Sequence, residues 1–443
     1  MEKIASPYRT FRFVSYDFDR ATGVASLVYA IDDAFTFTER VTFPLPAQIA
    51  ASDEALDRAL FALHLAAGVS YYKAYLPPEI VVESGTLSED EAAYWEKLYT
   101  RGLGEFFYRN NLDFREYVHF PRGEASASQF HDREVMKLDG AIVPLGGGKD
   151  SLVVVEMLRN AGIDFTLAAL RGHDRIQKVA DAIGQPLVVI DRAIDPLLFV
   201  LNAKGAWNGH VPVTTYVALA MVVYALLHGK RDVMFANERS ANVGNVVVNG
   251  VAINHQYSKS LEAERDLAAY LASSVTPDVR VFSLLRPLSE LAITKRFVEN
   301  GKYFDAFSSC NKNYKIVGAQ QGWCGTCPKC AFVFAMLAAF MPKQQVVGIF
   351  GKNLYADAAL LPMYKELLAV EGIKPFECVG EPDEVKAAFV LAQARGDFAG
   401  DAVMEWFAAA GDSNVDIDAV LAPSRDHAIP DDYATLVYGH QGA

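Results

Sequence analysis

Chemistry is concentrated where an apolar run, Ile142-Val-Pro-Leu145, leads into Gly146, Gly147 and Gly148 and then into Lys149, Asp150 and Ser151 at the start of a helical pattern. Three consecutive glycines let the backbone approach a polyphosphate closely, and the N–H groups of a following helix N-terminus face an anion and favour its charge. Lys149 adds positive charge, Ser151 a hydroxyl donor, and Asp150 a carboxylate able to place Mg²⁺. A Walker A loop needs Ser or Thr directly after Gly-Lys, and Asp150 intervenes, which removes the P-loop kinase and GTPase reading. The residue types predict an ATP site lined by Gly146 to Ser151, with Arg171 after the next strand as a further contact. An ordinary glycine turn between strand and helix is the competing reading.

A second constellation is Cys324-x-x-Cys327-x-x-Cys330 with Cys310 fourteen positions earlier, so four of the five cysteines fall between 310 and 330. Four thiolates match the ligand count of a closed tetrahedral zinc site, which would tie the polar 311–323 loop to a helix starting near Ala331. An iron–sulfur cluster is the rival, because closely spaced cysteines followed by proline, here Cys327-Pro328, also occur in ferredoxins.

The elements that must position these groups divide the 443 residues into an expected three parts. Residues 10–16, 23–31 and 35–43 alternate apolar and polar side chains and predict an antiparallel meander, followed by helices from Asp53 to about Gly68 and from Ser88 to about Asn110. The small, polar stretch 121–136 reads as a linker, which places an N-terminal α+β domain at 1–135. Strands at 141–145, 165–170, 187–191 and 232–236 then alternate with helices at 150–161, 174–183 and 213–228. This is the α/β pattern of a parallel sheet, whose ligands sit at the C-terminal strand edge. With strands or turns near 279–285, a helix from Leu288 and the cysteine segment, it defines an ATP-binding domain over 136–345. A mainly helical region, 346–443, has candidate helices at 357–370 (restarting at Pro362), 381–396 and 401–410.

Composition narrows the class further. Hydrophobic residues make up 51% and charged residues 21%, the profile of a globular chain. A net charge of −13 opposes broad binding to nucleic-acid backbones, so no nucleic-acid partner is expected. There is no apolar run of membrane-spanning length and no signal-peptide core at Met1 to Tyr8, which predicts a cytoplasmic protein without a membrane partner.

The loop Leu145-Gly-Gly-Gly-Lys-Asp-Ser151 resembles that of the N-type ATP pyrophosphatases, which split ATP into AMP and pyrophosphate while adenylating a substrate. Leu145 departs from the Ser often found there. The one-plus-three cysteine arrangement is similar to that of pyrophosphate-loop enzymes that make 7-cyano-7-deazaguanine. Other segments extend the likeness: Thr10-Phe-Arg-Phe-Val14, Gly68-Val-Ser-Tyr-Tyr-Lys73, Gly102-Leu-Gly-Glu-Phe106, Lys204-Gly-Ala-Trp-Asn-Gly-His-Val-Pro-Val213, Phe235-Ala-Asn-Glu-Arg-Ser240, Asn254-His-Gln-Tyr-Ser-Lys259, Leu285-Arg-Pro-Leu-Ser-Glu290 and Lys374-Pro-Phe-Glu-Cys-Val379. With these the chain resembles, over nearly its whole length, the UDP-N-acetylmuramoyl-L-alanyl-L-glutamate epimerase family of bacterial peptidoglycan synthesis. The resemblance implies a HUP-like pyrophosphate-loop fold, a UDP-muramoyl dipeptide substrate, and ATP- and Mg²⁺-dependent inversion of its terminal glutamate beside a structural Zn²⁺. Another carboxylate-adenylating enzyme, or a zinc-stabilised nucleotide-binding protein without turnover, would share the same two motifs.

The resemblance does not say which residues move the proton. His255 and His210 lie in polar segments and could act as base near neutral pH, Cys378 as a thiolate, and Glu238 as a carboxylate at the ligand edge. Each has a bland reading as a hydrogen-bonded or buried structural group. Arg239, Arg286, Lys259, Trp207 and Asn208 are the candidate substrate contacts, with structural ion pairs as the alternative for the two arginines. Lys73 and Arg109 could meet a diphosphate.

Overall fold

The computed structural model describes residues 1–123, 136–248, 250–314, 322–411 and 413–439, so most of the expected linker at 121–136 and part of the cysteine loop lie outside the described residues. After a two-residue strand β1 (Glu2–Lys3), the meander is present as β2 (Thr10–Asp19), β3 (Val24–Ile31) and β4 (Phe35–Thr42). Helix α1 (Asp53–Tyr72), strand β5 (Glu79–Val82), helices α2 (Glu89–Gly102) and α3 (Gly104–Arg109) and strand β6 (Leu112–Asp113) follow. The helix expected over 88–110 starts with the Ser88–Glu91 capping box but breaks at Leu103. A Cβ on Gly102 would stand 2.7 Å from Pro212, so the break lets another loop reach the helix backbone.

The alternating region comprises β7 (Ala141–Pro144), α4 (Lys149–Asn160), β8 (Phe165–Leu170), α5 (Asp174–Ile183), β9 (Leu187–Ala193), α6 (Pro196–Ala203), α7 (Val213–His228) and β10 (Asp232–Phe235). A hairpin of β11 (Val246–Val248) and β12 (Val251–Ile253), then α8 (Leu261–Tyr270), β13 (Arg280–Ser283) and α9 (Glu290–Phe297) complete it. Helix α6 and the hairpin are additions to the sequence reading. The C-terminal part is helical: α10 (Pro328–Ala338), α11 (Lys343–Phe350), α12 (Leu361–Leu367), α13 (Pro382–Arg395), α14 (Ala402–Ala410), α15 (Ile417–Leu421) and α16 (Asp431–Tyr438). No helix among the described residues is long and apolar enough to cross a membrane.

Nine strands form one sheet in the order β13-β10-β7-β8-β9-β4-β3-β2-β5. From β13 to β9 all neighbours are parallel. The meander joins this half directly, because β4 pairs antiparallel with β9 through Arg40↔Ala193, Val41↔Arg192 and Thr42↔Asp191. At the seam Arg192 donates to both carboxylate oxygens of Glu39 at 2.9 and 3.0 Å, and Tyr71 donates to the same carboxylate at 3.0 Å. The core therefore divides by sheet face rather than by position in the chain. Side chains alternate sides along a strand, so Ile142, Ala168 and Ile190 pack with α1 and α7, whereas Val143, Leu167 and Ala169 pack with α4, α9, α10 and α13.

Candidate active site

Within the parallel half, the strands in chain order are β7, β8, β9, β10 and β13, and their spatial order reverses between β7 and β10. Open α/β sheets bind ligands outside the carboxyl ends of the strands at such a reversal. The glycine loop leaves β7 there. Gly147 has φ 83°, a left-handed conformation that favours glycine, and its carbonyl accepts from the Ser308 N–H at 2.9 Å. Gly148 caps α4 with no side-chain acceptor on the first-turn amides, and a Cβ on Gly146 would meet open space. A backbone cradle of this kind fits a polyphosphate.

Lys149 is turned inward. It is 2% exposed, and its ammonium pairs with both Asp150 and Glu290, since a buried charge requires opposite charges close by. Glu290 also accepts from Lys329 at 3.4 Å, and Lys329 donates onward to the Cys378 carbonyl. The two lysines hold Glu290 well below the usual carboxylate range against the effect of burial. Glu238 has the opposite fate: burial, then the charges of Glu290 and Asp150, push its carboxyl up.

This network ends on a second polar cluster. Lys259 donates to the Cys378 Sγ at 3.3 Å, and His255 hydrogen-bonds the same thiol. The His255 Nδ1 is held by Glu105, which lies 3.4 Å from the His210 Nδ1 and 2.5 Å from the Arg109 Nε. The imidazole rings of His210 and His255 are 4.7 Å apart. Local structure explains the convergence. α3 presents Glu105; a Cβ on Gly209 would stand 2.9 Å from Phe106, so only a glycine lets the 207–210 loop lie close enough to bring His210 in. Asn245 accepts from the His255 N–H and donates to the Pro375 carbonyl, each at about 2.9 Å, clamping the histidine turn to the segment that carries Cys378. Phe376 stacks on Tyr108 beneath Arg109.

The electrostatics of the cluster are uneven. Burial alone would lower His255, but Cys378 and Glu105 raise it to about 9. Burial and the neighbouring His255 lower His210 to about 4. Burial pushes the Cys378 thiol up, yet Lys259 and His255 bring it down to about 7. At neutral pH His255 is an imidazolium, His210 a neutral imidazole, and Cys378 about half thiolate.

The remaining candidates separate. Arg286 is fully buried and structural in its contacts, donating to the Glu238 carbonyl at 2.7 Å, the Lys259 carbonyl at 2.5 Å and Glu264 at 2.9 Å, so it fixes the backbone of two site residues. Arg239 donates to the carbonyls of Val420 and Ala422 at 3.1 Å and secures α15. Asn208 accepts from Lys73 at 3.2 Å, and burial lowers this lysine to about 8; Trp207 is exposed beside it. Arg171 lies at the end of β8 with φ 66°. Sequence reasoning missed Glu105, Glu290, Lys329 and Asn245. An opening of 430 Å³ beside Tyr257 and Ser260 includes Arg101 and Arg265, but Glu262 and Asp426 already pair with them, so it lacks free positive charge for a phosphate.

Cys310, Cys324, Cys327 and Cys330 converge. Their Sγ atoms are 3.9 Å (310–327), 3.7 Å (324–330) and 3.5 Å (327–330) apart. Four sulfurs at zinc bond lengths of about 2.3 Å in a tetrahedron stand about 3.8 Å apart, so the set fits zinc.

Residues 2–284 match the family described as MurL N-terminal domain and residues 306–420 that described as MurL C-terminal domain. Three proteins named UDP-N-acetyl-alpha-D-muramoyl-L-alanyl-L-glutamate epimerase are similar over most of their length. Those from Xanthomonas oryzae pv. oryzae and a Micromonospora species are each 42% identical, covering 95% and 96% respectively of both chains. That from Salinispora tropica is 44% identical over 86% of this chain and 84% of its own.

Proposed function

The chain belongs to the MurL family of amino-acid epimerases, and on that premise we propose that it inverts the terminal L-glutamate of UDP-N-acetylmuramoyl-L-alanyl-L-glutamate, with ATP split to AMP and pyrophosphate, in the cytoplasm as part of peptidoglycan synthesis. The observation that carries the reading is a pair of imidazoles in opposite charge states on one carboxylate, His210 neutral and His255 protonated on Glu105. Inversion at a carbon needs one group ready to accept a proton and another ready to give one.

A free carboxylate keeps its α-proton because the carbanion would place two negative charges on adjacent carbons. Adenylation removes one charge and turns the carbonyl into an electron sink, within reach of an ordinary base. The strand order 3-2-1-4-5 and the uncapped glycine loop support a HUP-like pyrophosphate-loop domain, with Gly146 to Ser151 around the ATP phosphates. Asp150 and Glu238 are the carboxylates that would hold Mg²⁺, which neutralises phosphate charge. His210, neutral, takes the α-proton and His255, protonated, returns one. Lys73, buried and with neutral Asn208 as the one bonded partner of its ammonium among the described residues, would hold a substrate anion.

Incubation with ATP, Mg²⁺ and the L-glutamyl substrate, followed by chiral analysis of glutamate and assay of AMP and pyrophosphate, tests the reading. D-glutamate should appear with deuterium at the α-carbon in D₂O only when ATP is hydrolysable, and Asp150→Asn should slow pyrophosphate release without unfolding the chain. ADP as the stoichiometric product, or exchange without ATP, would overturn it.

A further inference from the structure

Cys378, Lys259 and Glu105 hold more machinery than two imidazoles exchanging a proton require. The Cys378 Sγ, the His255 ring and the Glu105 carboxylate form a thiol–imidazole–carboxylate series, and the Lys259 Nζ stands 3.3 Å from the sulfur. A thiol beside an imidazolium that a third group holds in place, with a second cation at the sulfur, is the arrangement that keeps a thiolate ready for acyl transfer. Glu105 holds the His255 ring through its Nδ1 beside the thiol. Cys378 shares its segment with Lys374 and Glu377, whose Nζ and Oε2 atoms are buried with no hydrogen-bond partner among the described residues, polar atoms left for a bound molecule to satisfy. A thiol kept only as filler would not sit among two cations and orphaned polar groups.

We propose that Cys378 is a nucleophile that takes the glutamyl acyl group from the adenylate as a thioester, on which the α-carbon is inverted and from which water releases the product. This rests on the adenylation reading above. The thiolate attacks the α-carboxyl carbon; the C–S bond forms as the C–O bond to phosphate breaks, and AMP leaves with the electron pair. Sulfur donates weakly into a carbonyl, so the α-hydrogen stays acidic after AMP has gone. His210 takes that proton and His255 gives its own to the other face. His255, now neutral, accepts a proton from the water that attacks the thioester; the C–S bond breaks, the thiolate returns beside Lys259, and the proton on His210 passes to solvent.

The test is acid quench of the full-length protein turning over with ATP, Mg²⁺ and the L-glutamyl substrate, followed by intact-mass analysis, peptide mapping and pyrophosphate assay. A species heavier by the substrate's acyl group, located on Cys378 and removed by neutral hydroxylamine, is expected, and it should rise several-fold in His255→Ala, where the water has lost its base. Cys378→Ser should still release one equivalent of pyrophosphate but lose the burst of AMP. No pyrophosphate from the wild type would remove the adenylation reading itself. Pyrophosphate with no adduct in either the wild type or His255→Ala, or wild-type α-deuterium exchange in Cys378→Ser, would overturn the thioester alone.

Discussion

Replacing Glu105 by Gln removes the charge that His255 and His210 share while keeping nearly the same shape. His255 stands at about 9, compared with about 6.5 for a free imidazole, and Cys378 and Glu105 supply this rise against burial. If Glu105 accounts for half of the net rise, its loss lowers His255 to roughly 7.8, about 1.7 kcal/mol less stabilisation of the imidazolium. Activity that needs a Cys378 thiolate and a protonated His255 follows a bell, rising through about 7 and falling through about 9. In Glu105→Gln the alkaline limb should move down to about 7.8, costing roughly fivefold at pH 8.5 and little at pH 7. The assay is the rate of D-glutamate formation from pH 6 to 10, with His255 followed by nitrogen-15 NMR in the labelled protein. Stability supplies a second check with its own sign. A raised folded-state value stabilises fully below the unfolded value of about 6.5 and is lost as pH rises through about 9. The variant should therefore be less stable than the wild type by about 1.7 kcal/mol at pH 6, with this contribution fading above 9. An alkaline limb that stays near 9, or a loss of equal size at every pH, would refute the assignment of Glu105 as the partner that keeps His255 charged.

Metal analysis should find about one zinc per chain and no visible chromophore, and Cys324→Ser and Cys330→Ser should lose the metal and melt earlier; iron with a chromophore would replace zinc with a cluster. Glu39→Ala leaves the buried Arg192 guanidinium without its carboxylate and should cost about 3–5 kcal/mol in denaturant unfolding, whereas a cost below about 1 kcal/mol would show the seam tolerates the bare charge. His64 is fully buried with neither ring nitrogen hydrogen-bonded among the described residues, and burial lowers it to about 3. Because the unfolded chain binds its proton near 6.5, stability should fall as pH drops from about 6.5 toward 3, by up to about 5 kcal/mol, and His64→Leu should flatten that slope in chemical-denaturation midpoints.

What the sequence made legible was what local spacing encodes. Gly146 to Ser151 stand together in the chain, so the strand, the cradle and the helix start could be read at once, and Cys324, Cys327 and Cys330 announce a ligand set by their own intervals. His255, Cys378 and Lys259 were visible as residue types, but their mutual contacts were not, because 119 positions separate the lysine from the sulfur. Glu105 escaped for the same reason, lying 150 positions from the ring it charges. A signal existed in its own segment, an acid between Gly104 and Phe106 on a helix that buries both neighbours. Lys329 was hidden inside the cysteine motif, where the thiols drew the attention. The hairpin at 246–253 could have been found from Asn249-Gly250 between valine runs, a strong turn signal. Lys149 shows the converse: its place in the loop was legible, but its inward turn depends on Glu290, 141 positions away.

The seam between β4 and β9 also dictates when the chain can finish folding. Glu39 and Arg192 are 153 positions apart, so during synthesis at about 5–20 residues per second the outer edge of the meander waits roughly 8–30 s for its neighbour. Throughout that interval Arg40 to Thr42 present unpaired backbone groups, a template on which another nascent chain could add a strand. Arg40, exposed at that edge, and the charge of Glu39 beside it work against such pairing, since charged side chains on an open strand discourage foreign partners. A fragment ending before β9 would hold this open edge permanently, since the strand that covers the meander is made long after β2, β3 and β4 are complete.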